Sequence, residues 1–169
     1  MSLVDTILGK VVEVASSGCS RIAVCARYGV SCEGWLKVEL LHRLVETLAS
    51  YDDIEIVSEA QNIDLTVRSV SEQVLLELKT FPTNYGRSGK PITNFIDGVV
   101  ADLTKLSNKR GHAGKGLAVW LAYVVPEPVP PTWSTHFHKI KVAAAGTLLA
   151  KRIPLWEKAF ANLYVMESK

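Results

Sequence analysis

Nowhere do about 20 apolar residues follow one another in this chain, the length a membrane-crossing helix needs. Even the apolar N-terminus, MSLVDTILGKVVEVASSG, is interrupted by Asp5, Lys10 and Glu13, charges that the core of a secretory leader does not carry. The expectation is a cytoplasmic protein with no membrane partner. Cysteine is scarce. Cys19, Cys25 and Cys32 form an odd set without a CxxC pair, which argues against a disulfide framework and against a finger-like zinc site. A dominant charge is missing too: 19 Lys and Arg stand against 17 Asp and Glu, a net charge of +2. Nucleic-acid binding would therefore depend on local patches, because an average this weak attracts no polyanion. Repeats, low-complexity tracts and domain linkers are also absent. With 48% hydrophobic residues in 169, a single domain spanning 1–169 with a real core is expected.

What is present is a sequence of clear periodicities. Leu3, Ile7, Val11 and Val14 recur at helical spacing, ending near Ser16-Ser17-Gly18. RIAVCARYG predicts a short helix stopped by Gly29. Ser31 then caps a longer one over 32–49, with Leu36, Leu40, Leu41, Leu44, Val45 and Leu48 as its buried stripe. Three strand-like runs follow at short intervals, IEIVSEA, NIDLTVRSV and EQVLLELKT, which predicts an antiparallel meander. FPTNYGRSGKP reads as a loop. Ile92, Phe95, Ile96, Val99, Val100, Leu103 and Leu106 trace another helix, followed by the basic loop NKRGHAGKG. LAVWLAYVV is apolar on both faces and predicts a central, covered strand, with Trp120 and Tyr123 in the core. HKIKVAAAGTLLAKR reads as a further helix and FANLYVMES as an edge strand. The predicted fold is α/β: an αβββαβ core over about 33–125, a central mixed sheet flanked by helices, and a C-terminal helix and strand extension.

Chemistry concentrates at Glu77-Leu78-Lys79. Alternate residues of a strand share a face, so Glu77 and Lys79 project together from the otherwise apolar VLLELK. A charged pair there is costly unless it is an ion pair at a sheet end or part of a hydrolytic site. Asp64 lies on the polar face of the preceding strand, and a hairpin register brings it toward Glu77. Two converging carboxylates call for a cation between them, and oxygen ligands suit magnesium or manganese. Glu167-Ser168-Lys169 repeats the tripeptide pattern without any of this context.

The order helix, three-stranded meander, helix, strand, with these residues in it, resembles the PD-(D/E)xK nuclease superfamily, the restriction-endonuclease-like fold. The resemblance covers Glu39 in GWLKVELLHRL, Asp64 in NIDLTV, Glu77-Leu78-Lys79 in LLELKT, the helix bearing Asp97, Asp102 and Lys105, and the strand LAVWLAYVV. Ile63 stands where the motif's proline would be. The resemblance implies an Mg2+- or Mn2+-dependent endonuclease acting on DNA, less readily RNA. Asp64, Glu77 and the Leu78 backbone carbonyl would hold the metal, Lys79 would serve the attacking water, and Glu39 would assist from the helix. A helical wheel instead puts Glu39 on a solvated face, with Glu46 on the same side and Glu33 as a third candidate.

Arg87 and Lys90, just beyond Lys79, are candidate clamps for substrate phosphates. GRSGKP and GHAGKG lack the spacing of a nucleotide-binding loop. His136 and His138 have no third ligand nearby and read as surface residues. Asp102 reads as an ion-pair partner of Arg43 or Lys105. Two other readings are a DNA-binding protein built on a helix-turn-helix-like segment at 21–40, and a catalytically inert nuclease-fold module. A homodimer would enlarge the surface available for reading a long site.

Overall fold

A computed structural model describes residues 2–83, 85, 91–111 and 114–169. Three helices come first: α1 (Leu3–Ser17), α2 (Cys19–Tyr28) and α3 (Glu33–Leu48). The meander β1 (Glu55–Ala60), β2 (Ile63–Arg68) and β3 (Gln73–Pro82) follows, then α4 (Ile92–Lys109) and β4 (Gly114–Pro126). The chain closes with α5 (Pro131–Ala143), β5 (Ala144–Trp156) and β6 (Ala159–Ser168). Among the described residues no helix is long and apolar enough to cross a membrane.

The fold is α/β, and among the described residues there is one six-stranded mixed sheet in the order β1-β2-β3-β4-β6-β5. The expected meander is there, with β1, β2 and β3 antiparallel. Helix α4 carries the chain across so that β4 runs parallel to β3 from Gln73↔Gly114 to Pro82↔Tyr123. A parallel neighbour requires such a crossover, and a strand flanked by helices on both sides must be apolar on both. β4 obeys this. Leu117, Val119, Leu121 and Tyr123 pack with α1, α2 and α3, while Ala118, Trp120 and Ala122 pack with α4 and α5. Trp120 and Tyr123 are fully buried.

Two elements at the C-terminal end differ from expectation. The run HKIKVAAAGTLLAKR is helical only to Ala143, and its second half is strand β5. FANLYVMES, expected at an edge, is β6 and lies between β4 and β5. Alanine, leucine and lysine favour helix locally. The unpaired backbone edge of β6 supplies ladder partners from Ala144↔Ser168 to Trp156↔Ala159, and that pairing overrides the propensity.

Helix α3 shows its stripe at Leu36, Leu40, Leu44 and Leu48, all buried. Val38 and Val45, in contrast, are exposed, so this helix is covered on one side and open on the other. Its start is tied to β3. Cys32 N donates to the Thr80 hydroxyl at 3.0 Å, Ser31 shares a hydrogen bond with that hydroxyl at 3.0 Å, and Ser31 Oγ accepts from Glu33 N at 3.2 Å.

Candidate active site

The site begins where a β-ladder ends. Pairing between β2 and β3 runs from Arg68↔Gln73 to Leu65↔Leu76 and stops there. Beyond Leu76, β3 stays paired with β4 on its other side as far as Pro82. The next β3 amides on the open edge need partners, because an unpaired buried N–H costs as much as a lost hydrogen bond. Carboxylates supply them. Leu78 N donates to Asp64 Oδ2 at 2.8 Å, and Thr80 N donates to Glu33 Oε2 at 3.2 Å. In extended backbone a residue's N–H and C=O share one edge, so the Leu78 carbonyl also emerges beside Asp64.

Among the described residues three lysines are interleaved with the acids. Lys37, one turn after Glu33 on α3, lies 3.4 Å from Asp64 Oδ1 and also binds Glu59. Lys79 sits 4.0 Å from Glu33 Oε2 and 3.6 Å from Asp102 Oδ2. Lys105 reaches Glu77 Oε1 at 2.6 Å and Asp102 Oδ1 at 3.8 Å. The cluster thus joins α3, β2, β3 and α4. Lys105 also donates to the Asn62 carbonyl at 3.1 Å, and Lys109 to that of Gln61. Both acceptors belong to the two-residue turn that leads into Asp64.

Burial is the main influence on the acids. Glu77 is only 5% exposed, and desolvation lifts its pKa to about 7. The Lys105 hydrogen bond opposes that shift, while the charges of Asp64 and Asp102 reinforce it. Asp102 is likewise raised by burial and by Asp64, against the pull of Lys79 and Lys105. Lys37 is raised, chiefly by its hydrogen bond to Glu59, with Asp64 contributing. At Glu77, burial and the two like charges together outweigh Lys105.

The structure gathers Asp64, Glu77, Leu78 and Lys79 into one neighbourhood. Glu39 is elsewhere: it pairs with Arg43 at 3.4 Å and Arg21 at 3.9 Å. The expectation that Glu39 serves the site is corrected by helix geometry. Six residues past Glu33 amount to about 240° of rotation and about 9 Å of rise, which aims the side chain away from β3. Glu33 is the α3 carboxylate that meets the site, and Glu46 pairs with His42 and Arg43. Asp102 pairs with Lys105 as expected, and also with Lys79; Arg43 is occupied by Glu13, Glu39 and Glu46. Arg87 and Lys90 lie outside the described residues.

Lys37 and the site role of Lys105 escaped sequence reasoning. A signal existed for Lys37, since it is four residues from Glu33 and so on the same helical face. Lys105 gave none, because its target depends on how α4 lies across the sheet.

Among the described residues no three His, Cys, Asp or Glu side chains gather at metal-ligating distance. Magnesium does not require three, because it keeps several waters and takes one or two carboxylates. Asp64, Glu77 and the Leu78 carbonyl are a hard-oxygen set of that kind. No family model, curated protein or solved structure matches the chain.

Proposed function

We propose that the protein is a magnesium- or manganese-dependent phosphodiesterase that cleaves DNA, and RNA less readily, in the manner of PD-(D/E)xK nucleases. One observation carries this reading: where β2 parts from β3, Asp64, the Leu78 carbonyl, Glu77 and Lys79 stand together, the last three on a strand that is otherwise mostly apolar and buried. The antiparallel β1-β2-β3 meander, the α4 crossover and the parallel β4 support this reading, because the resemblance implies an αβββαβ core with a mixed sheet.

Asp64 and Glu77 would hold the cation, which when bound supplies Lewis-acid stabilisation and a more acidic water. Lys79, tethered loosely by Glu33 and Asp102, would orient the attacking water and offset the charge of the scissile phosphate. Glu33, fixed by the Thr80 amide, would hold Lys79 from the helix side. The buried floor under the cluster would keep bulk water from competing for these charges.

The helix-turn-helix reading draws no support from α3. Its apolar stripe is buried in the domain and its Arg43 is held by three glutamates. The test uses plasmid, single-stranded DNA and structured RNA, each incubated with protein and magnesium, manganese or EDTA. Cleavage that requires the metal and vanishes in Lys79→Ala is expected. EDTA-resistant binding without cleavage would overturn the proposal in favour of a binding module, and cleavage indifferent to Lys79 would overturn the assignment of this site.

A further inference from the structure

Glu77 already has a cation. Lys105 Nζ lies 2.6 Å from its Oε1, against a carboxylate whose side chain is only 6% exposed. A metal ion shared by Asp64 and Glu77 would therefore arrive at an occupied acid. It would also stand next to a like charge, at a carboxylate that is itself buried.

The same structure contains a second acceptor for that lysine. Asp102 is three residues before Lys105 on α4 and its side chain is 14% exposed. Its two oxygens are divided: Oδ2 faces Lys79 at 3.6 Å, and Oδ1 faces Lys105 at 3.8 Å, too long for a strong bond. A small swing of the Lys105 chain would shorten that contact while lengthening the one to Glu77. Both acids sit within reach of one flexible ammonium group, and the helix keeps Lys105 beside Asp102 whatever happens at Glu77.

We propose that Lys105 is the resident counter-ion of Glu77 and that Asp102 takes it over when a divalent cation binds, so that the pair governs metal entry to the site. The inference rests on the metal-dependent reading above. Lys105 and Asp102 are positioning residues here: they act on the cation's seat and touch no substrate. Without the exchange, Lys105 would compete with every incoming ion. Without Asp102, it would have no second carboxylate to move to.

The probe is manganese alone. Free Mn2+ is followed by electron paramagnetic resonance as metal is added to wild type, Lys105→Met, Asp102→Asn and the double variant, at mildly alkaline pH. Lys105→Met should tighten binding by roughly three- to tenfold, and Asp102→Asn should weaken it by a similar factor. In the Lys105→Met background Asp102→Asn should change affinity by less than about twofold, because its effect passes through the lysine. Lys105→Arg, which keeps the charge, should stay near wild type.

Unchanged or weaker binding by Lys105→Met overturns the exchange. Equal weakening by Asp102→Asn in both backgrounds also overturns it, by making Asp102 a ligand. A drop in melting temperature without the affinity changes would reduce Lys105 to a clasp on the Asn62 turn. If wild type binds manganese and cleaves DNA while Lys105→Met gains nothing, the exchange alone fails. If none of the proteins binds manganese and none cleaves, the nuclease reading fails with it.

Discussion

The Asp64 carboxylate accepts a hydrogen bond from the Leu78 amide at 2.8 Å, one step past the last β2–β3 pair, Leu65 and Leu76. Asp64 therefore has two tasks, closing an open backbone donor and offering charge to the site. The two tasks separate by mutation. Asp64→Asn keeps an oxygen for the Leu78 amide and should change stability in EDTA by less than about 1 kcal/mol while abolishing cleavage. Asp64→Ala orphans the amide and should cost about 1–3 kcal/mol in urea denaturation. Equal stability of the two variants would show that the amide finds another partner.

The α3 carboxylates give a direct contrast. Glu33 bonds the Thr80 amide and lies beside Lys79, whereas Glu39 sits between Arg21 and Arg43. Glu33→Gln should lower metal-dependent kcat/KM at least roughly tenfold, about 1.4 kcal/mol of transition-state stabilisation. Glu39→Gln should leave cleavage intact and shift stability by less than about 0.5 kcal/mol. The reverse outcome would mean that the helix meets its substrate from the opposite face.

Glu77 predicts a pH dependence with a definite sign. Its folded pKa, about 7, lies above the ordinary value of 4.5, so the folded state holds the proton more tightly than the unfolded one. Stability from this group is full below the ordinary value, falls as pH rises through the interval, and levels off above about 7. The total is on the order of 3 kcal/mol. The measurement is urea denaturation of wild type and Glu77→Gln in EDTA across that range. The variant should gain on wild type as pH rises, and a difference independent of pH would refute the shift. Saturating magnesium should erase the wild-type decline, since a cation at the carboxylate replaces the proton.

The turn before Asp64 carries local strain. Gln61 and Asn62 have φ of 54° and 60°, both central positions of a two-residue hairpin turn closed by Ala60 and Ile63. Such turns favour glycine or asparagine, and glutamine is the misfit. Gln61→Gly should stabilise the protein by about 1 kcal/mol by relieving that strain, and Lys109, which binds the backbone carbonyl there, keeps its acceptor. A calorimetric melting temperature no higher than wild type would remove the strain argument.

Several features follow from the sequence alone because they depend on period. Alternation along VLLELK puts Glu77 and Lys79 on one side of β3, and a run apolar at every position makes β4 a doubly covered strand. Three short runs with short connections make the meander. A period tells which side of its own element a residue occupies, and nothing about what stands opposite. Glu33 and Glu39 are both plausible on the helix. The anchoring of Ser31, Cys32 and Glu33 on Thr80 is what selects Glu33. The partners of Lys37 and Lys105 come from residues 27 and 28 positions away, Asp64 and Glu77, brought into contact by packing. β5 is a strand because β6 offers it a free edge, against its own composition. Local propensity is weaker than a ladder of hydrogen bonds, and the ladder exists only once the chain has folded.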